Sequence, residues 1–349
     1  MSSLDDGVLL QTKGLSKHFP IRTGLLSRRV GEIRAVDGVD LAIHARKTVG
    51  LVGESGCGKS TLGRLLLRAY PPTAGEILYR RTDGETVDLA QLGEKELRTY
   101  RREIRMVFQD PFSSLNPRMT LLQIVGEPLR VNNLATPAEV EERVADLLKR
   151  VGLRPEYIRR YPNAFSGGER QRVGIARALA LSPRLVVADE PVSALDVSVR
   201  AQILNLLRDL QQESDLTYLF ISHDLGVVEY MADEVVVMYV GRVVETGPTE
   251  ELYTTPLHPY TEALLSAVPD PDPAAARARE RIILRGEVAD PSAVPEGCPF
   301  HPRCFYAQDR CTTERPALRE IRPGRQAACH FAGELDLRGI EPQAAMSQG

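Results

Sequence analysis

The stretch GESGCGKS, Gly53–Ser60, constrains this chain more than any other. It fits the pattern G-x-x-x-x-G-K-[ST], with the apolar run KTVGLVG before it and the helical pattern TLGRLLLRAY after it. Glycines let such a loop curl so that successive backbone N–H groups face phosphate oxygens at the positive end of the following helix. The residues assigned to that cradle are Gly53, Glu54, Ser55, Gly56, Cys57, Gly58, Lys59, Ser60 and Thr61. Lys59 is placed to bridge the β- and γ-phosphates and Ser60 to ligate Mg²⁺. Cys57 reads as a small filler, not a nucleophile.

A second stretch completes the chemistry. LVVADE is an apolar strand ending in Asp189 and Glu190, which puts two carboxylates at the carboxyl edge of a parallel sheet, where open α/β folds bind ligands. Asp189 suits Mg²⁺, and Glu190 suits a water aimed at the γ-phosphate. Alone, a strand-end Asp-Glu is commonplace; with the phosphate loop it points to nucleotide hydrolysis. His223 closes another strand pattern, TYLFISH, and could reach the γ-phosphate, although a lone histidine is more often structural.

Around these motifs, strand and helix patterns alternate, which predicts an α/β fold with a largely parallel sheet. Val8–Phe19 and AVDGVDLAI read as strands joined by a basic loop, RTGLLSRRVGE. Pro71 and Pro72 are expected to stop the helix after the phosphate loop. TPAEVEERVADLLKRVG is the best helix, with Thr136 as N-cap, Pro137 at the first helical position and Gly152 as the stop. EVVVMYVGRVVETG is a further strand region, and about 110 to 180 reads as a helical insertion. The 349 residues carry 43% hydrophobic and 26% charged side chains, no Trp and a net charge of −3. That balance gives no support for a general nucleic-acid or anionic-membrane surface. No apolar run approaches the ~20 residues that span a bilayer. The start, MSSLDDGVLLQTKG, lacks the basic and apolar regions of a signal peptide. The expectation is a cytosolic chain whose membrane role, if any, comes through a partner.

FSGGERQRVGIARAL, Phe165–Leu179, adds what chemistry alone does not supply. With the motifs above, it resembles the ATP-binding subunits of ABC transporters, P-loop NTPases with a helical subdomain. The resemblance implies that Ser166, Gly167, Gly168 and Glu169 form the family's signature loop, with Glu169 where glutamine is common. It implies a glutamine loop in MVFQD with Gln109 at the Mg²⁺ and γ-phosphate, a D-loop in SALD ending at Asp196, a switch histidine at His223, and Phe19 stacked on adenine. VFQDPFSSLNPRMT, ADEPVSALDVSVRAQILNLL and LHPYTEALLSAVP narrow the resemblance to importers of dipeptides and oligopeptides, a branch shared with importers of nickel and other small solutes.

Partners follow from the resemblance. A second ATPase subunit, a paralogue in preference to a copy with the copy left open, stacks head to tail so that the signature of one chain closes over the ATP of the other. Two transmembrane permease subunits dock near 111–128 and hold the chain at the cytoplasmic face of the inner membrane, and an extracellular solute-binding protein delivers the solute. No nucleic acid is expected. A soluble ABC regulatory protein is the competing class; it usually carries two cassettes or a long coiled-coil insertion, and this chain has neither.

Four of the five cysteines, Cys298, Cys304, Cys311 and Cys329, lie in a Pro-rich segment near the end. In a cytosolic chain disulfides are disfavoured, which leaves zinc or an iron–sulfur cluster. Structural zinc favours C-x₂₋₄-C pairs, absent here, and cluster spacings vary more. The resemblance extends to a four-cysteine segment that holds a [4Fe–4S] cluster in several peptide importers, so the cluster is expected and Zn²⁺ is the alternative. His301 and His330 are read as bystanders. The expected domains are 1–250 for nucleotide binding, 251–333 for a small Cys-rich C-terminal extension, and 334–349 for a tail.

Overall fold

In the computed structural model, which describes residues 4–24, 28–110, 114–269 and 281–340, twelve strands form. In chain order they are β1 (Val8–Thr23), β2 (Arg28–His44), β3 (Thr48–Val52), β4 (Ala74–Arg80), β5 (Thr86–Asp88) and β6 (Ile104–Val107). They continue with β7 (Leu185–Asp189), β8 (Thr217–Ile221), β9 (Glu234–Tyr239), β10 (Arg242–Pro248), β11 (Arg319–Arg322) and β12 (Arg325–Ala327). The chain divides into two compact units. One comprises 1–43, 48–91 and 222–349; the other comprises 44–47 and 92–221.

The first unit contains two sheets. β2, β1, β4 and β5 pair in that order, with β1 antiparallel to β4 through Leu10 opposite Tyr79. The loose alternation of Val8–Phe19 belongs to this sheet. The expected basic loop between the first two strands is shorter than the sequence suggested. β1 runs to Thr23 and β2 begins at Arg28, while Leu25 to Ser27 lie outside the described residues. The other sheet orders β11-β12-β10-β9-β3. β3, TVGLV, is buried at every position, the continuous apolar run expected of a strand covered on both faces. It pairs parallel with β9; β9, β10, β12 and β11 are joined antiparallel. EVVVMYVGRVVETG is therefore a hairpin. Val240 and Gly241, with φ of 43° and 76°, make its two-residue turn, the paired positive φ that suits hairpin twist.

The helix behind the phosphate loop, Lys59–Leu66, ends before the prolines expected to stop it. Its C-cap is Leu67, and Arg68 turns left-handed with φ 52°. The C-terminal segment packs into this same unit. Arg325 of β12 and Glu245 of β10, both inaccessible to solvent, pair at 3.2 Å. Glu245 also accepts the N–H groups of Leu257 and His258 at 2.8 and 2.9 Å. His258 caps the helix Pro259–Ser266 by accepting from the Tyr260 N–H.

In the second unit β8, β7 and β6 are parallel, with β7 and β8 fully buried. Its helical part includes Leu121–Val131, Pro137–Arg150 and Gly167–Leu179. Pro137–Arg150 begins as expected, with Thr136 as N-cap in a reciprocal capping box with Glu139 and proline at the first turn.

Candidate functional site

The phosphate loop leaves β3 and enters the helix Lys59–Leu66 through Gly58, which has φ 107°. A Cβ at Gly58 would also strike the Ala35 carbonyl, so only glycine fits. Lys59 is 5% exposed, and its ammonium donates to the carbonyls of Gly53 and Glu54 at 2.6 and 2.9 Å. The cation is thus held within the curl of the loop. Ser55 and Gly56 stand exposed at its tip, and Ser60 and Thr61 are half-buried on the first helical turn. Cys57 is 1% exposed, and its desolvated thiol is pushed above the usual range, against the nearby Lys59 charge. It fills space, as the sequence suggested. Phe19, half-buried, meets Tyr70 edge-on at 5.6 Å, with Lys17 Nζ 5.2 Å from its ring centre.

Glu54 departs from its expected part. Its N–H, expected to face phosphate, donates to Tyr260 Oη at 2.8 Å. Its carboxylate takes two hydrogen bonds from Arg303, Nη1 to Oε2 at 2.6 Å and Nη2 to Oε1 at 3.0 Å. Neither Tyr260 nor Arg303 was among the candidate residues. They lie 206 and 249 positions away, and no local pattern announces them.

In the second unit, Asp189 ends β7 at 2% exposure. Glu190 follows with φ 46°, a left-handed conformation uncommon for a non-glycine residue and frequent at functional sites. Its N–H donates to Ile221 O at 2.9 Å, and its Oε2 accepts from Gln109 Nε2 at 2.9 Å. Two residues singled out 81 positions apart are therefore in direct contact.

Ser166 caps the helix Gly167–Leu179. Its hydroxyl accepts the Glu169 N–H, and Glu169 Oε2 accepts from the Ser166 N–H and hydroxyl, each at 2.9 Å. This capping box was not among the sequence expectations, although S-G-G-E carries its signal, and it explains why glutamate can stand for glutamine there. A Cβ at Gly168 would collide with Val199, so the second signature glycine lets two helices approach. Asp196 is the exposed N-cap residue of the helix Val197–Ser214. His223, in the first unit, is exposed, one residue before Asp224 caps the helix Leu225–Met231. Pro111, Phe112 and Ser113 of the expected permease-docking stretch lie outside the described residues.

Cys298, Cys304, Cys311 and Cys329 all line one cavity, with Phe300, Phe331 and Leu335 among its walls. None is in a disulfide. The Cys298 N–H donates to the Cys311 carbonyl at 2.8 Å, which ties two of the four together. Burial pushes the Cys304 and Cys329 thiols up to about 12 and about 11, and neighbouring thiols add in the same direction. Ring nitrogens of His301 and His330 lie 2.9 Å from the backbone carbonyls of Cys298 and Glu314. Among the described residues, no group of three or more His, Cys, Asp or Glu is arranged to hold a metal ion. Neither the expected [4Fe–4S] cluster nor the alternative zinc therefore has a ready-made ligand set among the described residues, and a tetrahedral zinc would need sulfurs ~2.3 Å from one point.

Residues 36–193 match the ABC transporter family, and 244–311 match the oligopeptide/dipeptide transporter C-terminal region. The chain is 51% identical over 332 residues to the oligopeptide transport ATP-binding protein AppF of Bacillus subtilis, covering 95% of this chain and 99% of that protein. It is 52% identical over 339 residues to a probable peptide ABC transporter ATP-binding protein, y4tS, of Sinorhizobium fredii, covering 97% and 94%. Among solved structures, the dimeric ATP-binding cassette MJ0796 bound to ADP and Pi superposes with a TM-score of 0.60 at 30% identity, over 69% of this chain and 99% of that one. CbiO1 of Clostridium perfringens, part of the transporter complex cbiONQ, gives 0.59 at 28% identity, over 71% and 91%.

Proposed function

The chain belongs to the ABC transporter ATP-binding subunits, in the branch that powers peptide import, and from that premise we propose how its residues divide the work. It is the ATP-hydrolysing subunit of an importer for peptides and oligopeptides. The loop Gly53–Thr61 cradles the ATP phosphates, with the Glu54 N–H held by Tyr260 instead and Lys59 on the β- and γ-oxygens. Phe19 stacks on adenine. Asp189 and the Ser60 hydroxyl are hard oxygen donors that suit Mg²⁺, which neutralises phosphate charge when bound. Glu190 takes a proton from the attacking water, and Gln109 orients Glu190 and reports nucleotide state to the helical part. His223 senses the γ-phosphate. Ser166–Glu169 and Asp196 serve the nucleotide of a second ATPase subunit, a paralogue in this reading.

Among the described residues no helix is long and apolar enough to cross a membrane. In this reading, which rests on the likeness to peptide-importer ATP-binding proteins, two permease subunits hold the chain at the cytoplasmic face of the membrane, and an extracellular binding protein delivers the peptide. The observation that carries the reading is the glycine-shaped loop closing on the buried Lys59 ammonium. Lys59→Ala should abolish ATP binding by the full chain; affinity equal to wild type would overturn the assignment.

The four cysteines are proposed to hold a [4Fe–4S] cluster in the extension 251–333. Their shared cavity supports this, and four thiolates bound to separate irons need not converge on one point. The cluster would staple the segment, since ATP-driven import requires no redox step. Anaerobic purification should yield a coloured protein with about four irons and four sulfides per chain. A colourless protein with one zinc and no sulfide would reject the cluster.

A further inference from the structure

The C-terminal segment holds both the main chain and the side chain of one phosphate-loop residue, Glu54. Tyr260 Oη accepts its N–H at 2.8 Å, and Arg303 takes its carboxylate with two hydrogen bonds at 2.6 and 3.0 Å. The Arg303 side chain is 7% exposed, against 26% for Glu54. As a guanidinium, Arg303 is charged throughout the physiological range. Its segment is not free to swing. Phe300, three residues earlier, is 2% exposed and packs against Tyr260 and Tyr239 with ring centres 5.3 Å apart in each case. Arg303 also precedes Cys304 directly and follows Cys298 by five positions, so the cysteine cavity and the phosphate loop are joined through one short turn.

A carboxylate in the second position of a loop that receives a triphosphate is an electrostatic liability, because like charges at short range disfavour binding. A paired guanidinium removes that liability and fixes the loop backbone. We propose that Arg303 is a positioning residue for ATP: by neutralising Glu54 it sets the affinity of the phosphate loop and links that affinity to the cysteine segment. The proposal rests on the reading of Gly53–Thr61 as the ATP phosphate loop. It deepens that reading by assigning the nucleotide site a control element from the opposite end of the chain.

A double-mutant cycle on the full-length chain tests it, with a fluorescent ATP analogue as probe and thermal unfolding as a check on folding. Arg303→Met keeps the aliphatic bulk and removes the charge. It should weaken binding about tenfold at low salt and less at high salt, and raise KM for ATP with little change in kcat. In the Glu54→Gln background the same substitution should cost clearly less, because no Glu54 carboxylate is then released toward the phosphates. Arg303→Lys should recover most of the loss. A purely structural anchor predicts the reverse: Arg303→Met would lower thermal stability equally in both backgrounds with no salt-dependent change in affinity, and that result overturns the proposal. Should Arg303→Met fail to fold, Arg303→Lys carries the test, since retained charge then predicts near wild-type affinity despite a lost hydrogen bond. If wild-type chain binds no nucleotide, the loop reading itself fails; if wild type binds and Arg303→Met binds equally well, only the role of Arg303 fails.

Discussion

At the scale of single residues, the chemistry is held by short contacts that chain position does not reveal. Gln109 and Glu190 were each legible as motif residues, but their 2.9 Å hydrogen bond was not. Glu190 also sits at φ 46°, a conformation held by its N–H to Ile221 O. Glu190→Gln keeps the shape and one acceptor for Gln109 while removing the base. ATP turnover in the assembled complex should fall by about 10²-fold or more, with ATP binding retained; full turnover would remove Glu190 from the role. Glu169 is the converse case. The box it forms with Ser166 uses an acceptor that glutamine also offers, so Glu169→Gln should leave unfolding free energy within about 0.5 kcal/mol of wild type. Glu169→Ala should cost about 1 kcal/mol, read by urea unfolding. Glu54 marks the limit of reading from sequence, for the loop pattern gave it a phosphate contact while its partners lie in a distant segment.

Among the elements, the legible ones had local signals. Thr136, Pro137 and Glu139 announce a helix start, and the structure places it there. The antiparallel additions to the sheet were less legible, since β10 to β12 have no period that separates them from parallel strands. His258 and Glu245, beside each other at the start of Pro259–Ser266, give this region a pH response. Burial pushes the His258 pKa down from 6.5 to about 3. The unfolded chain therefore takes up a proton first, and stability falls as pH drops from about 6.5 toward 3. Glu245 is raised to about 7 by burial, against the pull of Thr261, the Leu257 N–H and Arg325, so its contribution falls as pH rises from 4.5 toward 7. His258→Asn keeps a capping acceptor and removes only the first effect. Relative to wild type it should gain about 1.4 kcal/mol per pH unit between roughly 6 and 4, by urea unfolding at several pH values. A pH-independent difference would contradict the buried neutral imidazole. In the same place Arg325→Ala would strand the Glu245 carboxylate and should cost about 3–5 kcal/mol near neutral pH. The loss should be smaller at pH 5, where Glu245 takes up a proton.

For the whole molecule, the sequence carried the nucleotide chemistry further than it carried the architecture. Phosphate-loop, strand-end and signature residues lie in compact motifs because phosphate binding depends on local backbone shape. The division into two units, with 222–349 grouped beside the N-terminal strands, depends on contacts between segments hundreds of residues apart, as with Arg325 on Glu245 and Arg303 on Glu54. The C-terminal third is thereby built around the phosphate loop as well as the cysteine cavity. ATP hydrolysis by this chain drives peptide import. Its most direct test is uptake of a labelled oligopeptide into proteoliposomes containing the chain, its second ATPase subunit and the permease pair, with the solute-binding protein and ATP supplied. Accumulation should depend on ATP and be lost with Glu190→Gln; equal uptake by wild type and the variant, or none by wild type in an assembled complex that hydrolyses ATP, would contradict an import role.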